Sequence, residues 1–98
     1  LLSKAHHLPA QRAAFGQAAV DYWAAYVREL GAVPWRPALE ARAVRHTLAC
    51  LLARVAGRSP LEYLSLDERA RQQAAALALL ADPPVTIAAL AERFLDQL

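Results

Sequence analysis

Arg42, Arg45 and His46 fall within one turn of any helix that spans them. They can share a face and present guanidinium forks and an imidazole to a phosphate or carboxylate. A solvated charged face, or pairing with acids later in the chain, answers the same spacing and is the commoner use of such residues. Tyr22, Trp23 and Tyr26, with Trp35 in the loop that follows, can wall a small organic ligand, and they serve equally as the bulk of a helical core. His6 and His7 have no carboxylate or cysteine beside them in sequence to orient either ring as a base or ligand. Cys50 is the only cysteine, so no internal disulfide forms, and its Leu48-Ala-Cys-Leu-Leu setting reads as buried helix. One cysteine and three histidines lack the paired spacing of a closed zinc site.

Catalytic signatures are missing. There is no Gly-rich phosphate loop, no His-Glu-x-x-His and no Gly-x-Ser-x-Gly turn, so this stretch alone is not expected to be an enzyme. The run from Leu79 to Phe94 reads like the first half of a helix-turn-helix, but the sequence stops at Leu98 before a recognition helix fits. A complete DNA reader is therefore not expected.

The elements that must position these residues are all helical. Apolar residues recur at helical spacing almost everywhere, and period-two alternation never lasts more than a few residues. The spacing predicts four main helices plus two short or partial ones, an all-α, bundle-like arrangement within a single domain over 1–98. Leu1 to His7 reads as the end of a helix, stopped by Leu8-Pro9. Ala10 to Leu30 carries Phe15, Ala19, Tyr22, Tyr26 and Leu30 on one face, with Trp23 and Val27 widening it and Gly31 in the left-handed C′ position. A third helix opens at Pro37, points Val44, Leu48, Leu51, Leu52 and Val55 inward, and ends at Gly57. Ser59 and Ser65 each precede a glutamate by three residues, which predicts two capping boxes: a short helix through Leu64 and a long one to Ala81. Thr86 caps a last helix to Leu98, with Val85 stapled onto Leu90.

The sequence has 98 residues, net charge +2 and 57% hydrophobic residues, with a mean hydropathy of +0.18. That is too apolar for disorder and high for a small free-standing domain, so a face that packs on something else is expected. Charged residues or proline break every stretch before the roughly 18 apolar residues of a membrane span, so no membrane association is expected. Residues 36–58 carry five arginines against Glu40, and residues 59–98 hold six acids against three arginines. The basic excess is small and local, which argues against nucleic acid as a partner. A lone cysteine fits a reducing cytoplasm.

The run Leu48-Ala-Cys-Leu-Leu-Ala-Arg-Val-Ala-Gly-Arg-Ser-Pro-Leu-Glu-Tyr-Leu is the most distinctive stretch. Together with Tyr22-Trp-Ala-Ala-Tyr-Val-Arg-Glu-Leu-Gly and Pro83-Pro-Val-Thr-Ile-Ala-Ala-Leu-Ala-Glu-Arg-Phe, it resembles the C-terminal end of the aminoglycoside phosphotransferase and choline kinase-like family. The resemblance implies the helical C-lobe portion of a protein-kinase-like fold, excised from a larger chain. Its partners would be the missing N-terminal lobe and catalytic core. It also implies ATP and Mg²⁺ as cofactors of the parent, bound upstream of Leu1, and a small-molecule acceptor phosphorylated on a hydroxyl. Arg42, Arg45, His46, Tyr22 and Trp35 are then the candidate acceptor-binding residues. A ligand-binding or dimerisation domain of a bacterial transcriptional regulator is the alternative for such a helical stretch. On the first reading, Arg45→Ala in the full chain should raise the acceptor's KM by the equivalent of about 1 to 3 kcal/mol and leave the nucleotide's KM alone. A structural ion pair would instead give a lower melting temperature with unchanged kinetics.

Overall fold

The computed structural model describes residues 1–98 as five α-helices and one 3₁₀ turn, without strands. α1 (Leu2–His7) leads through a 3₁₀ turn at Pro9–Gln11 into α2 (Arg12–Leu30); α3 (Arg36–Ala56), α4 (Leu66–Ala81) and α5 (Ile87–Asp96) follow. No helix is long and apolar enough to cross a membrane.

Local chemistry explains most of the boundaries. Gly31 has φ +75° and its N–H donates to the Val27 carbonyl at 3.1 Å, closing α2. Pro37 sits in the first turn of α3, where a missing N–H costs no hydrogen bond. At Gly57 an added Cβ would collide with the Ala53 carbonyl oxygen, so the exit from α3 needs glycine. The Ser65 capping box forms at both ends: Glu68 N–H donates to Ser65 Oγ at 3.2 Å, and Ser65 N–H to Glu68 Oε2 at 2.7 Å. Thr86 Oγ1 accepts from Ala89 N–H at 3.2 Å and starts α5.

Three local expectations are corrected. The short helix from Ser59 does not form, because Leu61 N–H turns back to the Arg54 carbonyl at 2.8 Å and Arg69 Nη2 donates to the Leu61 carbonyl at 3.0 Å. Those bonds outcompete a one-turn helix that would carry the full cost of nucleation, and they pin buried Leu64 under the turn. Val85 is 69% exposed and staples nothing. Its job is done by Glu40 of α3, whose Oε1 accepts from Ile87 N–H at 2.9 Å and fixes the entry of α5 from across the fold. The face of α2 is also rotated from the expected one. Tyr22 and Tyr26 are exposed, while the expected Ala19 and Trp23 pack against the core together with Val20, and Gly16 is buried.

α3 and α4 pack along each other through Val44, Leu48 and Leu51 on one side and Ala75, Ala76 and Leu79 on the other. Gln72, fully buried between them, donates from Nε2 to the Leu51 carbonyl at 2.9 Å. α5 lays Ile87, Leu90, Ala91 and Phe94 onto this pair, and α2 rests on α1 and α5. Only 17 of 98 residues are buried, so several large apolar side chains, Trp35 and Leu66 among them, stay on the surface. Phe94, with no exposed surface, anchors the core. Phe94→Ala should cost about 3 to 5 kcal/mol in urea unfolding, whereas Val85→Ala should stay within about 0.5 kcal/mol.

Candidate functional site

Between α2 and α3 lies a cleft of about 420 Å³, floored by α5 and closed at one end by Leu1–Ser3. Its volume falls in the lower part of the usual range for ligand pockets, about 300 to 1,000 Å³. The space exists because three small residues, Ala19, Ala43 and Ala91, face it from three different helices. Trp23 and Tyr22 form one wall, and Ile87 and Leu90 the floor. The opposite wall is a single stripe of α3: Ala43, Thr47, Cys50 and Arg54, spaced four, three and four residues apart.

That stripe carries the polarity. Thr47 Oγ1 donates to the Ala43 carbonyl at 2.8 Å, so its proton is already committed. Arg54 is the one charged side chain in the lining, and no acidic side chain faces it there. The fold's ion pairs are His7 with Glu68 and Arg93 with Asp82, which leaves the Arg54 guanidinium without a carboxylate within 4.0 Å. Cys50, expected in a buried helical setting, is exposed, because the cleft opens the face of α3 that a closely packed α2 would have covered.

Of the five candidate acceptor-binding residues only Tyr22 lines the cleft, 72% exposed at the rim; Trp23, read beside it as part of an aromatic wall, lines it too. Arg42, Arg45 and His46 are exposed on other faces of α3, and Trp35 is 53% exposed at the start of that helix. The arginines do not pair with Glu40, whose carboxylate holds α5 instead. Arg54 and Cys50 are the cleft residues that the sequence reading did not place in a ligand site. The signal that could have found them is the four-three-four stripe ending in a lone arginine.

A second polar cluster joins α1 to the start of α4. His6 is 2% exposed, and its Nε2–H donates to the Glu68 backbone carbonyl at 2.6 Å. His7 Nδ1 lies 3.3 Å from both Glu68 carboxylate oxygens, so tertiary structure supplies the orienting acid that the neighbouring sequence lacks. Tyr63 packs at 5.1 Å from the His7 ring, and Lys4 Nζ stands 3.8 Å from the Tyr63 ring centre. Burial raises the Tyr63 phenol above its usual value of 10.0, against the opposing pull of Arg54, so it keeps its proton at neutral pH. No group of three or more His, Cys, Asp or Glu side chains gathers in a way that could hold a metal ion.

Comparison with protein-family models, with curated proteins and with solved structures gives no match.

Glu68 gives the fold a defined acid response. The Ser65 N–H bond, then the hydrogen bond and charge of His7, hold its carboxyl below the usual 4.5 despite partial desolvation. A carboxyl depressed by folding contributes stability at pH values above its unfolded pKa and loses it as pH falls through the lower folded value. Urea unfolding at about pH 6 and about pH 3.5 should therefore show a smaller acid loss for Glu68→Gln than for the wild type. Glutamine can still make the capping-box bond, so the helix start is retained.

Proposed function

We propose that residues 1–98 form the helical C-terminal subdomain of an ATP-dependent small-molecule phosphotransferase, and that the cleft between α2 and α3 faces its acceptor. One observation supports this reading above others. The three stretches that resemble the phosphotransferase family, on α2, on α3 with its following turn, and on α5, all contribute walls to one cleft through Trp23, Arg54 and Leu90. Nucleotide and Mg²⁺ would be held by residues outside this stretch, and no step of transfer is assigned to any residue here.

The cleft also bears on the kind of acceptor. An apolar lining with a single arginine suits a hydroxyl-bearing metabolite better than a polycationic aminoglycoside, which would need carboxylates facing it. The same apolar character favours a second reading, the ligand-binding domain of a transcriptional regulator, for which a cavity between helices is the usual recognition site.

The full-length protein separates the two. The kinase reading expects a His-Gly-Asp loop upstream of Leu1 and ATP-dependent phosphorylation of a hydroxyl compound, abolished when that aspartate becomes asparagine. Residues 1–98 purified alone should hydrolyse no ATP, because nothing in them cradles a triphosphate. An upstream helix-turn-helix, with no phosphoryl transfer to any acceptor in a broad panel, would overturn the kinase reading and favour the regulator.

A further inference from the structure

We infer that the α2–α3 cleft binds an amphipathic organic anion, with an aliphatic body between Trp23 and Leu90 and a carboxylate on Arg54. The inference deepens the binding half of the reading above and rests on it; phosphoryl transfer is a separate question. The body of the ligand follows from the lining, in which 11 of 14 residues are hydrophobic. Alanines at 19, 43 and 91 leave room that larger side chains would fill, and nothing polar waits at the floor for a partner. An apolar chain entering there leaves water for a surface of Leu, Ile, Ala and indole, the main driving force for such sites.

The head group follows from Arg54. Its guanidinium stands on the same stripe of α3 as the cleft wall, with no acidic side chain in the lining and no carboxylate partner within 4.0 Å elsewhere. A carboxylate matches the guanidinium fork with two parallel hydrogen bonds, a geometry that a neutral hydroxyl cannot reproduce. The neighbouring polar groups add no competing charge: Thr47 has committed its proton to the Ala43 carbonyl, and Tyr63 near Arg54 holds its own proton. A ligand with an apolar tail and a cationic head would place like charge against Arg54, and a second charged head group would be stranded among leucines.

Cys50 lines the same cleft and is exposed, so it reports occupancy directly. The full-length protein, without nucleotide, is treated with iodoacetamide, and alkylation of Cys50 is followed by peptide mass spectrometry against increasing decanoate or decanol. Decanoate should slow Cys50 alkylation saturably, and decanol should do so only at concentrations about tenfold higher, the factor expected for a lost charge-assisted hydrogen bond. Arg54→Gln should abolish the difference between acid and alcohol while leaving the alcohol's effect intact; Arg71→Gln, on the exposed side of α4, should change neither. Ala43→Phe, checked for unchanged helicity by circular dichroism, should remove protection by both.

Equal protection by acid and alcohol in the wild type, or a preference that survives Arg54→Gln, would overturn the assignment. So would Cys50 that is unreactive without ligand, since the cleft would then be covered by the protein itself. Binding without phosphoryl transfer in the full-length protein would sink the kinase reading and leave the cleft intact. Transfer with no Arg54-dependent anion binding would do the reverse.

Discussion

Burial of one face of α5 holds this molecule together. Ile87, Leu90, Ala91 and Phe94 repeat at three, four and seven residues along ten residues of helix, and all four are buried. α5 meets each of the other four helices. Its start is fixed twice, by Thr86 within its own segment and by Glu40 reaching across from α3. Because α2 and α3 each pack on α5, they stand apart above it, and the gap between them is the cleft. The floor that stabilises the fold is thus also the floor of the candidate site.

The amino-terminal half of the chain is held more lightly. α2 spans 19 residues, yet Gly16 is the only one of them that is buried. A Cβ there would come within 2.6 Å of the end of the Leu95 side chain, so glycine lets α2 approach α5 closely at that one crossing. α1 is docked by polar chemistry as well as by Leu2 and Ala5: His6 on the Glu68 carbonyl, His7 on the Glu68 carboxylate and Lys4 over Tyr63. Glu68 therefore serves two elements, capping α4 through Ser65 and holding α1 through His7. Since α1 closes one end of the cleft through Leu1–Ser3, the same carboxylate also sets the shape of the site's end wall.

This arrangement gives the cleft an uneven character that bears on function. Its floor belongs to α5, with four of ten residues buried, and its near wall to α2, in which only Gly16 is buried. A ligand between them would add apolar contact to α2 and tie it more firmly to the rest, coupling occupancy to the order of the weaker half. The arginine at the end of the opposite wall would then set the ligand's orientation, as the one charged side chain in the lining.

What the sequence determined by itself was set by neighbours a few residues apart. Helical class, the Ser65 and Thr86 starts, and the Gly31 and Gly57 ends each depend on a side chain or a φ angle acting on its own backbone within about one turn. Where an outcome depended on a distant part of the chain, sequence spacing misled. The stripe of Tyr22 and Tyr26 was as apolar as that of Gly16, Val20 and Trp23, yet the second is the one that packs against the core. Ser59 carried the same local signal as Ser65, but the Arg54 carbonyl took the Leu61 amide first. Arg42, Arg45 and His46 made the denser charge cluster, yet the cleft opened along Thr47, Cys50 and Arg54, because that stripe of α3 is the one turned toward the gap left by α2. Glu40 with Ile87, and Glu68 with His7, join residues 47 and 61 positions apart. Such pairs are decided by packing of the whole chain, since no local spacing encodes which distant backbone amide or ring a carboxylate will find.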